Sequence, residues 1–355
     1  MAGYHPGRVT PIESLGFGPF FSQQLDLPAE AGLAPARVLA DFGARLLLDL
    51  GGEQRPALLP AALQGAAAVG DWVLCQRLPD GAAVLRRVLA RRSVLSRQAA
   101  GAATGEQVLA ANVDLVMLVE PLDSGPNLRR LERMLAAVRA SGAEPAVLLT
   151  KADLCAAPEE AAAAVGEVAL GAVVLVVSAR AGRGLEAIRA LVPPATTAVL
   201  LGQSGVGKST LVNALLGGAV EATGALDADG SGRHTTNWRR LWPLPSGGLL
   251  VDGPGIRELQ LWAGEGLEAA FADVATLAAG CRFNDCTHRD EPGCAVLAAV
   301  AAGDLAAPRL ASYQKLAREA ASLAARHQAA GRQAERRAGR VLERAIRDLQ
   351  RRRGR

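Results

Sequence analysis

Residues 202–210 read Gly202-Gln203-Ser204-Gly205-Val206-Gly207-Lys208-Ser209-Thr210 and match the phosphate-loop pattern G-x-x-x-x-G-K-[ST]. The residues before them, 197–201, are β-branched and apolar and predict a buried strand, whereas residues 211–216 predict a helix. A strand, a glycine-rich turn and a helix N-terminus direct backbone N–H groups toward one point. The sequence therefore predicts a nucleoside triphosphate site, in which Lys208 reaches the β- and γ-phosphates and Ser209 ligates Mg²⁺.

Composition narrows the class of protein. At 355 residues the chain is long enough for two or three domains with a sizeable core. Half of its residues are apolar, but no apolar run reaches the length of a membrane helix, and the N-terminus lacks a signal-peptide pattern. The sequence therefore predicts a cytoplasmic protein without a membrane segment, which we expect to be a monomer.

The first hundred residues predict a small β-barrel preceded by an extension. Residues 1–33 carry an apolar patch at 15–21, which we expect to pack as a strap on the next domain. Within residues 34–96 strand-like runs alternate with turn signals, as is typical of an OB-type barrel. The predicted strands are 36–40, 44–50, 71–76 and 83–89.

The predicted barrel offers few aromatic side chains for base stacking, namely Trp72 and Phe42. It is richer in side chains that suit phosphates, and these are Arg86, Arg87, Arg91, Arg92 and Arg97. A solvated charged face without a ligand is the alternative interpretation of these arginines.

Residues 97–275 predict a doubly wound α/β domain. Strand-like runs at 113–120, 145–149, 172–177 and 197–201 alternate with helical patterns, and a hairpin-like pair follows at 238–244 and 248–251. In such a sheet ligands bind at the carboxyl ends of the strands.

Two of these strand ends carry motifs that resemble those with which GTP-binding proteins recognise guanine. Thr150-Lys151-Ala152-Asp153 resembles the [NT]KxD motif, whose carboxylate accepts hydrogen bonds from guanine N1–H and the exocyclic amine. Adenine cannot match this donor pattern, so Asp153 predicts guanine selectivity, with Lys151 along the base. Ser178-Ala179-Arg180 resembles the second guanine motif, in which a backbone N–H meets the base oxygen O6.

The motifs for the γ-phosphate follow the phosphate loop. Asp252-x-x-Gly255 resembles the DxxG motif, whose Asp holds Mg²⁺ through water and whose Gly N–H binds the γ-phosphate, and Thr235 or Thr236 resembles the switch threonine. The guanine motifs thus precede the phosphate loop, the reverse of the usual order. This order predicts a circularly permuted GTPase with GTP or GDP and Mg²⁺ as ligands.

Residues 276–355 predict a zinc domain with a basic tail. Cys281, Cys286, His288 and Cys294 supply three thiolates and one imidazole, the closed Cys₃His set of a structural Zn²⁺ site. From residue 332 to the end the chain has ten arginines against three acidic residues in a helical pattern. Such a tail predicts an electrostatic arm for nucleic acid, with a merely solubilising tail as the alternative.

Together these features resemble the ribosome small subunit-dependent GTPase A (RsgA) family over nearly the whole chain, including the lead-in at 107–114 and the His234-Thr235-Thr236 switch. The resemblance implies a GTPase of late 30S subunit maturation whose hydrolysis is stimulated by the 30S subunit. Our hypothesis is that the GTP-bound form docks on 16S rRNA through the barrel, zinc domain and basic tail, and that hydrolysis releases it. Thr150 replaces the commoner Asn, and Gly253 stands where Ser is frequent in the family.

Ile256 occupies the position after DxxG, where Ras-like enzymes place a water-orienting Gln. We therefore expect slow intrinsic hydrolysis, with His234 or the ribosome supplying the missing group. Two rival functions remain open at this stage: a P-loop ATPase or kinase, and an rRNA-binding scaffold with a vestigial nucleotide site.

Overall fold

The computed structural model describes residues 12–26, 30–43, 45–98, 106–218, 240–252, 265–322 and 325. They fall into two compact units. One contains the described residues up to 97 and from 108 to 252, and the other contains residues 98, 106–107 and those from 265 onward. The domain borders expected at residues 33, 96 and 275 remain predictions.

The first unit begins with a short 3₁₀ helix, Ile12–Leu15, and helix α1, Pro19–Ser22. A five-stranded barrel follows, in which β1 pairs with β2 and β4, β2 with β3, β3 in parallel with β5, and β5 with β4. This closed order is that of an OB barrel and confirms the expected fold. Its strands are β1 Leu33–Asp41, β2 Arg45–Asp49, β3 Gln54–Leu58, β4 Trp72–Arg77 and β5 Ala83–Val88, and a 3₁₀ turn covers Ala61–Leu63.

Strand β3 was absent from the sequence prediction. Of its five residues only Ala57 is buried, so the apolar alternation that reveals a half-buried strand is missing. Pro56 lies within it and reads as a strand breaker in sequence. Pairing with β2 on one side and β5 on the other forms the strand nonetheless.

The N-terminal extension packs on the barrel, as the strap interpretation expected. The ring centroids of Phe17 and Phe21 lie 4.8 Å and 5.8 Å from that of Trp72. Trp72 is fully buried by these contacts. It therefore cannot stack a nucleic-acid base, which removes one of the two aromatic candidates on the barrel; Phe42 is exposed.

Three of the barrel arginines are paired with carboxylates in this structure. Arg91 donates to both carboxylate oxygens of Asp71, whose side chain is fully buried, and Arg87 forms an ion pair with Glu30. Arg92 is bonded to Asp114. Arg87, Arg91 and Arg92 are therefore less available to bind phosphates than the sequence predicts. Arg86 stays exposed and donates to Gln76.

Strands β6, Val94–Gln98, and β7, Glu106–Ala111, form a separate two-stranded sheet before the α/β region. That region confirms the doubly wound expectation, with the strand order β10-β9-β8-β11-β13-β12 and parallel pairing except between β12 and β13. Its elements are β8 Leu115–Pro121, α2 Leu128–Ala140, β9 Glu144–Thr150, α3 Pro158–Val168, β10 Val173–Val176, α4 Leu185–Leu191, β11 Thr197–Leu201, α5 Lys208–Leu216, β12 Arg240–Pro243 and β13 Leu249–Asp252.

The core of the α/β region lies between the sheet and its helices. It combines side chains of β8, β9 and β11 with Ile188 of α4 and with Leu211, Val212 and Leu215 of α5. This packing fixes the strand ends that carry the motifs. The sheet does not stop at β12, because Ala40 of β1 pairs with Arg240, so barrel and α/β region share one sheet.

The second unit is helical. The helix expected at 265–279 is observed as α6, Glu265–Ala270, and α7, Ala272–Ala278, and α8 spans Ala295–Ala302. Residues 307–322 form a further helix. Arg309 on it donates to Asp273 and lies 4.1 Å over the Phe271 ring. Among the helices that are described, none combines the length and the apolar character needed to span a bilayer.

Candidate nucleotide site and metal cluster

The phosphate loop connects β11 to α5 as expected. Gly205 and Gly207 have φ angles of +81° and +99°, which side chains other than glycine rarely adopt. A Cβ atom on Gly202 would lie 2.6 Å from the carbonyl oxygen of Val119, so the loop also needs glycine for its close approach to β8. Lys208 Nζ donates to the carbonyl oxygens of Gly202 and Gln203, at 2.9 Å and 2.5 Å. The ammonium group is thus held over the loop where phosphates would bind.

The rest of the loop is accessible. Gln203, Ser204, Ser209 and Thr210 are exposed, whereas Val206 is buried in the core. The first turn of α5 therefore presents the Ser209 hydroxyl to solvent, as a Mg²⁺ ligand of a bound nucleotide requires.

Thr150 joins the guanine motif to the phosphate loop. Its side chain is buried at the end of β9, and its hydroxyl donates to the carbonyl oxygen of Val206 at 2.6 Å. The hydroxyl cannot reach solvent, so Thr150 acts on the loop and not directly on the base. Segments more than fifty residues apart in sequence are thereby in direct contact, on one edge of the sheet.

Lys151 and Asp153 follow on that edge. Lys151 has a φ of +58°, an uncommon left-handed conformation, and its Nζ donates to Asp123 at 2.7 Å. Ser178 Oγ donates to Asp153 Oδ1 at 2.5 Å, and this bond lowers the pKa of the Asp153 carboxyl. The two guanine motifs are therefore bonded to each other, and Asp153 stays ionised as an acceptor.

The second guanine motif forms a tight turn. Ser178 Oγ accepts from the Ala181 N–H at 3.1 Å, and Ser178 forms an isolated bridge with Arg183. Ala179 is half-buried and Arg180 is exposed. Ala152 N–H donates to the carbonyl oxygen of Val177, so the two strand ends are joined through backbone as well.

The γ-phosphate motifs are only partly visible. Asp252 ends β13, which pairs with the phosphate-loop strand through Val199 and Val251. The side chain of Asp252 and residues Gly255, His234, Thr235 and Thr236 lie outside the described part of the chain. Their roles remain predictions.

Asp123 is a residue of this site that the sequence analysis missed. It lies on the loop between β8 and α2, and the ion pair with Lys151 lowers the pKa of its carboxyl. Glu120 stabilises this loop, because its buried carboxylate accepts hydrogen bonds from Arg130 and from the Asn127 N–H. The sequence signal for Asp123 is an acidic residue just after a buried strand. The carboxyl end of that strand lies on the same edge of the sheet as the guanine motifs.

The four predicted metal ligands come together in the second unit. The ligand atoms of Cys281, Cys286, His288 and Cys294 all lie within 4.8 Å of one another. His288 Nδ1 is 3.6 Å from Cys281 Sγ and 3.4 Å from Cys294 Sγ, and these two sulfurs are 3.8 Å apart. Tetrahedral Zn²⁺ with bonds of about 2.0–2.3 Å would separate its ligands by roughly 3.5–3.8 Å. The donor set of four, and the three distances among Cys281, His288 and Cys294, therefore fit a zinc ion.

The surroundings favour thiolate at Cys281, whereas burial raises the pKa of Cys286 to about 11. Cys294 caps α8, and its Sγ accepts from the Leu297 N–H at 3.4 Å, where the helix dipole favours negative charge. Burial raises the pKa of Cys281, but the backbone N–H groups of Val296 and Ala295, together with the side chains of Cys294 and Cys286, lower it overall. His288 is buried against Tyr313, and burial lowers its imidazole pKa, which favours the neutral form that binds metal.

Comparisons with known proteins agree with this geometry. Residues 88–262 match the family model described as RsgA GTPase. A protein of Opitutus terrae named small ribosomal subunit biogenesis GTPase RsgA is 45% identical over 334 residues, which are 89% of this chain and 91% of that protein. A Streptomyces coelicolor protein of the same name is 43% identical over 331 residues, covering 90% of each chain.

Solved structures show the same architecture. The crystal structure of YjeQ from Thermotoga maritima matches with a TM-score of 0.62 and 25% identity, over 81% of this chain and 98% of that one. YloQ, described as a circularly permuted GTPase, has a TM-score of 0.61 over 82% of this chain and 96% of its own, and its 23% identity supports the fold alone. With its permuted motif order and these relatives, the chain belongs to the RsgA family of GTPases.

Proposed function

We propose that this chain hydrolyses GTP during biogenesis of the small ribosomal subunit, late in 30S maturation, and that hydrolysis releases it from the subunit. The activity follows from membership of the GTPase family. The names of the relatives support the role in ribosome biogenesis. The proposal also places the protein in the cytoplasm as a monomer, with the 30S subunit as its partner.

One observation carries the guanine-nucleotide part of the proposal. The Thr150 hydroxyl bonds to Val206 of the phosphate loop, and Ser178 bonds to Asp153 on the same sheet edge. One nucleotide could therefore meet the base-reading carboxylate and the phosphate loop together. An ATPase or kinase would have no use for a carboxylate acceptor opposite the base, so the first rival function is not favoured.

Different residues of the site would contribute to different parts of GTP hydrolysis. Backbone N–H groups of residues 202–210 would receive the phosphates, and Lys208 would neutralise charge on the β- and γ-phosphates. Bound Mg²⁺ would supply further charge at the same oxygens, held by Ser209, by Asp252 through water, and by Thr235 or Thr236. Ile256 offers no hydrogen bond to the attacking water, so His234 or the ribosome would orient it.

The barrel, the zinc domain and the basic tail would dock the protein on 16S rRNA. Cys281, Cys286, His288 and Cys294 would hold one structural Zn²⁺, which leaves no open position for catalysis. The arginines from 332 to 355 would add attraction to rRNA phosphates, and the exposed Arg86 of the barrel could contribute. A non-enzymatic scaffold gains support only if Lys208→Ala leaves release from the subunit unaffected.

GTP turnover with and without purified 30S subunits, with ATP as the control nucleotide, tests the proposal. We expect slow turnover of GTP alone, a clear rise on adding 30S subunits, and none of either effect with ATP. Equal turnover of ATP and GTP would contradict the role of Asp153, and turnover indifferent to 30S subunits would contradict the ribosomal role.

A further inference from the structure

Arg37 on β1 is a fully buried guanidinium that the proposed site does not use. It is 1% exposed, and its Cζ lies 5.2 Å from the centre of the Trp72 ring. Burial lowers its pKa to about 10, although the charges of Asp114 and Asp71 act to raise it. A buried cation without a carboxylate in contact is costly to fold, so its retention calls for an explanation.

The hydrogen bonds of Arg37 join three separate segments. Nη1 donates to the Leu15 carbonyl oxygen of the strap at 2.9 Å. Nη2 donates to the Asn112 carbonyl oxygen between β7 and β8 at 3.1 Å, and to Thr197 Oγ1 at 3.0 Å. Thr197 is the first residue of β11, the strand that leads into the phosphate loop.

Each of these segments is itself held tightly. Asn112 has a φ of +54°, and its side chain accepts from the Arg92 N–H and donates to the Gly70 carbonyl oxygen. The Thr197 N–H donates to Asp114 at 2.8 Å. A Cβ atom on Gly70 would lie 2.2 Å from the Ala111 carbonyl oxygen. The junction around Arg37 therefore leaves little room for the segments to slide.

Strand β1 of the barrel contacts two strands that lead to the nucleotide site. Arg37 holds the start of β11, and three residues further on Ala40 pairs with Arg240 of β12. Strand β12 begins directly after the predicted switch residues and pairs with β13, which ends at Asp252. A displacement of β1 would thus act on the phosphate loop through β11 and on the DxxG segment through β12.

We propose that Arg37 is a positioning residue that fixes the start of β11 to the barrel, so that docking of the barrel on the 30S subunit is transmitted to the phosphate loop. The inference rests on the proposed function, because it assigns the route by which the subunit stimulates hydrolysis. Arg37 itself touches neither nucleotide nor rRNA in this account.

The pair Thr197→Val and Thr197→Ser tests this route without touching the buried cation. Val has the shape of Thr and suits a strand, but it removes the acceptor for Arg37 Nη2 and leaves the other two bonds in place. Ser keeps the acceptor and serves as the matched control. Turnover with and without 30S subunits is measured for each variant, together with amide hydrogen exchange of residues 198–210 in the free protein.

We expect the Val variant to keep the basal turnover of the wild type, to exchange faster at residues 198–210, and to lose about tenfold in stimulation by 30S subunits, which converts to about 1.4 kcal/mol. The Ser variant should behave as the wild type in all three. Stimulation of the Val variant equal to that of the wild type would overturn the inference. So would equal loss of basal and stimulated turnover, since a merely structural role predicts that result. A wild type without stimulation would instead contradict the proposed function.

Discussion

The nucleotide site and the metal cluster are assembled in opposite ways. The nucleotide site draws its residues from segments between 123 and 252, and β8, β9, β10, β11 and β13 bring them to one edge of a buried sheet. The metal cluster takes all four ligands from residues 281–294, on irregular backbone before α8. The first is held by the core of the sheet, whereas the second is held by its ligands and by local hydrogen bonds such as those of Glu291 to the N–H groups of Thr287 and Arg289.

The two sites therefore depend on their ligands to different degrees. Thr150, Ser178 and Lys208 make hydrogen bonds to other residues of the site, so contacts within the protein hold its loops together. Three thiols and an imidazole within 4.8 Å gain nothing from one another unless a cation lies between them. The contrast predicts that ligand removal leaves the first site folded and unfolds the second.

Zinc removal should give the largest effect. Structural zinc contributes about 10–16 kcal/mol of apparent binding free energy in small zinc domains, so Cys294→Ala or a chelator should unfold residues 281–302. Zinc content and amide exchange of that segment would measure the loss, with Cys155→Ala as the control. Guanine nucleotide binding should persist in every case. Unchanged exchange in a zinc-free protein would show that the cluster is not held by metal.

Loss of the phosphate-loop lysine should come next. Lys208→Ala removes the ammonium group held over Gly202 and Gln203, and we expect GTP turnover to fall by at least about 100-fold. The melting temperature should change little, because Lys208 is only half-buried. Single-turnover hydrolysis measures the effect, and Lys315→Ala, an exposed lysine, is the control. Turnover within a few-fold of the wild type would argue against the assigned role.

The bond between the two loops should give the smallest of these effects. Thr150→Val leaves the Val206 carbonyl oxygen without its donor, and one buried hydrogen bond contributes about 1 kcal/mol. We expect a fall of roughly five- to tenfold in GDP affinity. Thr150→Ser should retain the wild-type affinity. If calorimetry shows that Thr150→Val binds GDP as tightly as Thr150→Ser does, the guanine motif and the phosphate loop are positioned by the core alone.

The sequence predicts those parts of the molecule whose signals are local. The phosphate loop has its glycines and Lys208 within nine residues, and the metal cluster its ligands within fourteen. The alternation of strands and helices similarly predicts the parallel sheet. Strand β3 escaped prediction because its partners, and not its own pattern, make it a strand.

Contacts between segments that are distant in sequence could not be predicted from the sequence. Trp72 reads as an exposed aromatic of a binding barrel until the strap residues Phe17 and Phe21 cover it. Arg91 reads as a phosphate ligand until Asp71 is found buried beside it. In each case the partner lies elsewhere in the chain, and residue type alone gives no sign of the pairing.

In the proposed function, Asp153 recognises a guanine base whose phosphates occupy the phosphate loop. Competition binding of GDP, xanthosine diphosphate and ADP to the wild type and to Asp153→Asn tests it directly. The Asn amide can donate to the xanthine 2-carbonyl, but its single oxygen can accept from only one of the two guanine donors. We therefore predict that the variant prefers the xanthine nucleotide, while the wild type prefers GDP by about 100-fold or more. A variant that still prefers GDP would contradict the account.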